Sequence, residues 1–238
     1  RRKPSELSGG QRQRVALARA AVAERPLCLM DEPLSNLDAK LRHSVRRDIR
    51  TLARKLALTV VYVTHDQGEA MSLSDKVVLM REGNIEQVGT PSQLYARPAT
   101  IFAAQFIGDP PMALVDAAAL GQDSSYIIGT RPEAVSLVPA GQGDLDAQID
   151  DFEYLGGETR LALTHPAANG LAAILPGPAD LEPGQTVGVV IPEENRLLFD
   201  SVTGRLKKEP QQNPKARIRQ NPAPEDGQRA PTPTQTVE

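Results

Sequence analysis

The first 110 residues alternate between helical and strand patterns, and this alternation restricts the possible folds more than any other feature. Residues 11–24 are rich in Ala, Leu, Arg and Gln, which favour helices. A short apolar run covers 27–30, and a β-branched and aromatic run covers 59–64. Between them, apolar residues recur every three or four positions along 41–56, which predicts a long amphipathic helix. Strand, helix and strand in this order predict a parallel sheet flanked by helices.

The same pattern makes predictions about burial. Because 27–30 is wholly apolar, we expect this strand to be buried on both faces of the sheet. The single cysteine, Cys28, lies within it and is expected to be a small core residue. Five arginines on the other faces of the long helix are expected to form a solvated surface: Arg42, Arg46, Arg47, Arg50 and Arg54.

The sequence pattern changes after about residue 110. Short apolar runs alternate with Gly/Pro turns such as 156–157, 176–177 and 183–184, which predicts a small β-barrel or sandwich. From residue 207 the chain is rich in Pro, Gln and charged residues, and we expect a disordered tail. The predicted division is 1–110, 111–206 and 207–238.

Composition excludes several classes of protein. The net charge of −3, the 3% aromatic content and the absence of Trp argue against a nucleic-acid partner. No apolar run reaches the ~18 residues of a membrane-spanning helix. One cysteine allows no internal disulfide and suits a reducing compartment. The chain begins Arg1-Arg2-Lys3 without Met, so we expect it to be part of a longer protein.

A glycine-containing loop precedes the first predicted helix. Gly9 and Gly10 allow close backbone approach, Ser8 adds a hydroxyl group, and the helix that follows directs its N–H groups at this point. Such a loop suits a phosphate. The alternative is that Ser8 is only a helix N-cap.

Acidic residues and a histidine follow the two predicted strands. Asp31 and Glu32 come directly after 27–30, where open α/β folds bind ligands, and His65 closes 59–64 at the same edge. Asp31 could hold Mg²⁺ and Glu32 could polarise an attacking water, while His65 could bind a terminal phosphate. The alternative is a strand that ends at a polar turn. Asp38 is placed to cap the long helix.

Four stretches, in this order and spacing, resemble the signature motif, Walker B motif, D-loop and H-loop of ABC transporter ATPases. They are LSGGQ at 7–11, the apolar strand into DEP at 27–33, SNLD at 35–38 and THD at 64–66. The stretches 66–71, 86–91 and 106–112 resemble the importer subfamily for sugars and glycerol 3-phosphate. Residues 129–133 and 153–156 are similar to its C-terminal TOBE-type β domain. The resemblance implies the C-terminal part of a P-loop NTPase sheet, an all-β TOBE/OB-like barrel and a disordered tail.

The resemblance also implies roles for individual residues. Glu32 would be the general base, Asp31 the carboxylate that binds Mg²⁺ directly or through water, and His65 the γ-phosphate switch. In a head-to-tail dimer, the signature loop would contact the ATP of the opposite ATPase subunit through Ser8, Gly9, Gly10 and Gln11. Asp38 would communicate across the dimer interface.

The function implied is ATP hydrolysis by an importer subunit for sugars or glycerol 3-phosphate. It would act with permease subunits, indirectly with a solute-binding protein, and peripherally at the cytoplasmic face of the inner membrane. The sequence has no Gly-x₄-Gly-Lys-Ser/Thr loop, so we expect it to be the C-terminal portion of the pattern. Ala113 and Gly68 depart from the subfamily's usual residues.

Two other hypotheses stay open at this stage. The chain could be a regulatory or small-ligand-binding module that donates only its signature loop. Alternatively, a chain without the upstream strands could fold poorly and expose apolar surface around 27–30.

Overall fold

The computed structural model describes residue 3 and residues 6–23, 25–35 and 37–208. The first part of the chain alternates helices and strands, as predicted. Its first elements are α1 (Gly9–Val22), β1 (Leu27–Asp31), α2 (Ala39–Lys55), β2 (Thr59–Val63) and α3 (Gln67–Leu73). A hairpin and two short helices follow: β3 (Val77–Arg81), β4 (Asn84–Gly89), α4 (Pro91–Ala96) and α5 (Ile101–Phe106).

β1 and β2 are parallel neighbours, aligned from Leu27 opposite Thr59 to Asp31 opposite Val63. Both strands run in the same direction, so the residues that follow them lie at one edge of the sheet. α2 begins after the N-cap Asp38, whose side chain accepts the Leu41 N–H. Its apolar stripe packs on one face of the sheet, around a buried cluster of Leu34, Leu37, Val45 and Ile49. The predicted amphipathic helix is confirmed.

The other face of the β1–β2 sheet is exposed, so the prediction that 27–30 is buried on both faces is wrong. The Leu29 side chain is 72% exposed, and Leu27, Val61 and Val63 are each about half exposed. Cys28, on the opposite side of the strand, is only partly buried. The physical reason is that this sheet has two strands within the described residues and α2 covers one face alone.

The second part of the chain is all-β. Its strands are β5 (Ala113–Asp116), β6 (Tyr126–Thr130), β7 (Ser136–Pro139), β8 (Leu145–Tyr154), β9 (Glu158–Thr164), β10 (Ala168–Asn169), β11 (Ala172–Pro176), β12 (Thr186–Val190), β13 (Leu197–Asp200) and β14 (Leu206–Lys208). They form two five-stranded antiparallel sheets, ordered β10-β5-β6-β13-β14 and β11-β9-β8-β12-β7. One core joins the sheets, because Val115 of the first packs in the same cluster as Ile149 and Val189 of the second.

Packing between α5 and the β-sheets connects the two parts of the chain. Ala104 of α5 lies in one buried cluster with Met112, Leu197 and Phe199. Arg131, between β6 and β7, donates hydrogen bonds to backbone carbonyls near the ends of α4 and α5.

The prediction that the tail starts at residue 207 is wrong, because Lys207 and Lys208 belong to β14, which pairs with β13. Residues 209–238, the rest of the predicted tail, lie outside the described residues. Within the part of the chain that is described, no helix combines the length and apolar character needed to cross a bilayer.

Candidate functional site

The carboxyl ends of β1 and β2 bring Glu32 and His65 together. The backbone N–H of Glu32 donates to the Val63 carbonyl at 2.9 Å, which continues the parallel pairing by one residue. Two residues after Val63, Nδ1 of His65 lies 2.9 Å from Oε1 of Glu32. Both side chains remain accessible, with His65 72% and Glu32 46% exposed. The pair therefore lies at the sheet edge where a ligand can reach it.

The backbone of Glu32 turns sharply as β1 ends. Its φ of +41° lies in the left-handed region, which residues other than glycine adopt rarely. The Glu32 carbonyl accepts the Ser35 hydroxyl at 3.0 Å and the Ser35 N–H at 3.3 Å, so the turn is held by local hydrogen bonds. Conformations of this kind are concentrated at functional sites, where surrounding contacts maintain them.

The carboxylate also changes the acid–base behaviour of the histidine. The hydrogen bond to Glu32, and then the charge of Glu32, raise the pKa of His65 above its ordinary value of 6.5; Glu69 and Asp66 add to this increase. Protonated His65 can donate to an anion such as a phosphate oxygen, and an ionised Glu32 can accept a proton from water. The arrangement thus provides an acid and a base side by side.

Asp31 is the last residue of β1, and its carboxylate is exposed at the same sheet edge. In the described ranges, no group of three or more His, Cys, Asp or Glu side chains could hold a metal ion. Mg²⁺ is usually bound through one or two carboxylates together with waters and substrate phosphates, not by an all-protein cage. A single exposed carboxylate such as that of Asp31 fits that manner of binding.

The predicted glycine-containing loop forms the first turn of α1. Ser8 is the N-cap: its Oγ accepts the Gln11 N–H at 3.3 Å, and the Gln11 side-chain oxygen accepts the Ser8 N–H at 3.1 Å. This reciprocal capping box shows that Ser8 does act as a cap. Gly9 and Gly10 are the first helical residues, and a Cβ on Gly10 would clash with the Leu41 side chain. Gly10 therefore allows α1 to pack closely against α2.

Asp38 has the capping role that its position predicts, since its Oδ1 accepts the Leu41 N–H at 2.8 Å. This bond fixes the start of α2 directly after the turn that begins at Glu32. A role for Asp38 in a dimer interface stays a prediction.

The sequence did not indicate a polar network behind His65. Glu69 is 3% exposed and accepts hydrogen bonds from Tyr62 and Thr64, both at 2.8 Å. Arg42, expected at a solvated surface, is partly buried and contacts Asp66 at 3.2 Å. The expectation for Arg42 is wrong because its partners lie on α3 and the preceding loop, which the periodicity of α2 alone does not show.

Comparison with protein families matches both parts of the chain. Residues 1–35 match the family model described as "ABC transporter", and residues 128–199 match the model described as "TOBE domain". The first match covers the capped loop and the strand that ends at Asp31 and Glu32. The second lies within the two-sheet β structure.

Curated relatives are similar over most of the chain. The sn-glycerol-3-phosphate import ATP-binding protein UgpC of Rhodopseudomonas palustris (strain BisB5) is 44% identical over 233 residues, covering 87% of this chain and 64% of that protein. UgpC 3 of Agrobacterium fabrum is 42% identical, with 86% and 64% covered. UgpC of Chromobacterium violaceum is 43% identical, with 86% and 61% covered. The chain thus spans somewhat less than two thirds of the length of these relatives.

Proposed function

We propose that this chain, which is similar to ABC transporter ATP-binding proteins, provides the water-activating half of an ATPase site that drives solute import. The observation that carries the proposal is the Glu32–His65 pair at the ends of two parallel strands. The relatives are named for sn-glycerol 3-phosphate import, and we propose this solute, or a sugar, for the present chain.

In the proposed reaction, Glu32 is the general base. Its carboxylate accepts a proton from the water that attacks the γ-phosphate of ATP, while protonated His65 donates a hydrogen bond to that phosphate. The pairing of His65 with Glu32 supports this assignment, because it holds a donor and an acceptor at one accessible point. Asp31 would hold Mg²⁺, directly or through water. A bound Mg²⁺ neutralises the charge on the phosphates.

The proposal requires a phosphate-binding loop from another stretch of polypeptide. These 238 residues contain no Gly-x₄-Gly-Lys-Ser/Thr, and phosphoryl transfer depends on positioning and neutralising the phosphates. We propose that the signature loop acts on ATP held by a second ATPase subunit in a head-to-tail dimer, through Ser8, Gly9, Gly10 and Gln11. Asp38 would then lie near the interface between the two subunits.

The proposed partners are two membrane-spanning permease subunits and, indirectly, a solute-binding protein. The protein would act at the cytoplasmic face of the membrane as a peripheral subunit. We also propose the division into an ATPase part, 1–110, and a β domain, 111–206; the packing of the two β-sheets around one core supports it.

The test is an ATPase assay of the chain with and without an added phosphate-binding loop. The 238-residue chain is assayed alone and joined to an N-terminal segment that carries a phosphate-binding loop. We expect no turnover above background alone and measurable hydrolysis from the joined protein. A correctly folded joined protein that binds ATP but never hydrolyses it would refute the proposal.

A further inference from the structure

Arg42 connects the turn after β1 to the loop that carries His65. Its Nη2 donates to the Leu37 carbonyl at 3.1 Å, and its Nη1 donates to Asp66 Oδ2 at 3.2 Å. Its Nε lies 4.0 Å from Glu69 Oε1 and has no hydrogen-bond partner within the described ranges. A guanidinium group suits this geometry because its donors point in fixed, different directions. One side chain therefore contacts both loops of the candidate site.

Glu69 fixes the other side of the His65 loop. Its carboxylate is almost wholly buried, and a buried charge is stable only when it is paired and hydrogen-bonded. Oε2 accepts the Tyr62 and Thr64 hydroxyls, while Oε1 faces Arg42. Burial, followed by the hydrogen bond to Glu69, raises the pKa of Tyr62, so this phenol remains a donor.

The backbone on each side of His65 is held by the same network. The Asp66 N–H donates to Thr64 Oγ1 at 3.0 Å, and Asp66 Oδ1 accepts the Glu69 N–H at 2.9 Å to cap α3. The His65 ring itself is mostly exposed, and its hydrogen bond in the described structure is to Glu32. Thr64, Asp66 and Glu69 thus fix the backbone that carries the imidazole.

We propose that Arg42 is a positioning residue for the reaction proposed above. By holding the Leu37 carbonyl and the Asp66 carboxylate together, it keeps the Glu32 turn and the His65 loop at the separation that the Glu32–His65 contact requires. The hydrogen bonds of Arg42 are to Leu37 and Asp66, not to the reacting groups Glu32 and His65, so it acts through the two loops. Misplacing a reacting group by about 1 Å can cost on the order of 10²-fold in rate, so such a residue matters for turnover.

The test uses NMR titration of the histidine ring signals in the 238-residue chain. The chain has 3 histidines, and the His65 signal is identified by its loss in His65→Gln. The charged groups that face His65 or line the same cavity are Glu32, Asp66, Glu69 and Arg42. Removing the positive charge of Arg42 should, by charge alone, raise the pKa of His65. Losing the Glu32 contact should lower that pKa instead, because the contact is the main cause of the upward shift.

We therefore expect Arg42→Met to lower the pKa of His65 towards 6.5, and Arg42→Lys to lower it less. Thr64→Val changes no charge, removes the hydroxyl that Glu69 and the Asp66 N–H share, and should have the same effect; Thr64→Ser should restore the wild-type value. The matched control is Arg47→Met, five positions further along α2 at an exposed position, which should leave the pKa unchanged.

Far-UV circular dichroism establishes that each variant is folded. A folded Arg42→Met chain whose His65 pKa is unchanged or raised overturns the proposal. If Arg42→Met does not fold, Arg42→Lys decides: a lowered pKa supports the proposal and an unchanged one overturns it.

An ATPase measurement on the joined protein separates this inference from the proposed function. We expect Arg42→Met to lower kcat on the order of 10- to 100-fold, with KM for ATP within a few fold. If His65→Gln leaves kcat unchanged, the proposed role of His65 fails while the positioning result from NMR stands. If His65→Gln lowers kcat and Arg42→Met does not, the positioning proposal fails alone.

Discussion

Replacing Arg131 should weaken the junction between the two parts of the chain more than any exposed substitution. Arg131 is 8% exposed, and its guanidinium group donates to three backbone carbonyls, those of Tyr95, Ala104 and Ile107. Tyr95 is near the end of α4, while Ala104 and Ile107 lie at the end of α5, where carbonyls lack helical partners. One arginine thus caps two helices.

The expected cost follows from these contacts. Hydrogen bonds to a charged group contribute about 1.5–3 kcal/mol each, and a buried carbonyl left without a partner costs about 1–3 kcal/mol. The guanidinium also lies 4.0 Å above the Tyr95 ring. Its own burial opposes these gains, because desolvation lowers the pKa of Arg131. Three buried carbonyls lose this donor in Arg131→Met, and after the opposing desolvation is subtracted we expect a net cost of about 3–5 kcal/mol.

Urea unfolding followed by circular dichroism measures the free energy of unfolding. Arg131→Lys keeps the charge but loses the fork of donors, so we expect about half the loss of Arg131→Met. The control is Arg81→Met: Arg81 is half exposed and lies over Phe102, a contact that contributes about 0.5–1 kcal/mol. A loss below about 1 kcal/mol in Arg131→Met, with an unchanged dependence on urea, would refute the reasoning.

Other substitutions test separate parts of the structure. Ser8→Ala removes the N-cap of α1 and should cost about 0.5–2 kcal/mol in urea unfolding, whereas Ser8→Thr should cost far less. Glu32→Gln should lower the pKa of His65 in an NMR titration. Folding raises the pKa of His65, so the Glu32–His65 pair stabilises the fold fully below pH 6.5. This contribution is lost as the pH rises through the raised pKa, and Glu32→Gln should remove this pH dependence of the stability. Leu29 and Val61 lie on the exposed apolar face of the β1–β2 sheet, so we expect the chain to bind an apolar fluorescent dye and to self-associate in solution. Leu29→Lys combined with Val61→Lys should reduce both; unchanged dye binding and association would refute this role of the face.

Much of the fold could be predicted from the sequence because its signals are local. The steps of three and four between apolar residues predicted α2, and the β-branched run predicted β2. Gly/Pro turns between short apolar runs predicted the antiparallel sheets. The edge at which Glu32 and His65 meet also followed, because it depends only on two strands being parallel.

What the sequence could not show depends on contacts between distant residues. An apolar run such as 27–30 indicates a strand but not how many neighbours cover it, and here the Leu29 side is exposed. The sequence likewise placed Arg42 on a charged helix face, while its partner Asp66 lies 24 positions away. The same residues, Ser8 and the glycines after it, are expected for a helix cap and for a phosphate-binding loop. The structure shows the cap.

The central claim is that Glu32 activates water, and single-turnover hydrolysis of bound ATP tests it most directly. In the joined protein, Glu32→Gln should reduce the rate of ATP cleavage by on the order of 10²–10⁴-fold while ATP binding remains within a few fold of the wild type. Glu82→Gln, an exposed acid in the β3–β4 turn, should leave cleavage unchanged. Cleavage by Glu32→Gln at the wild-type rate would contradict the account.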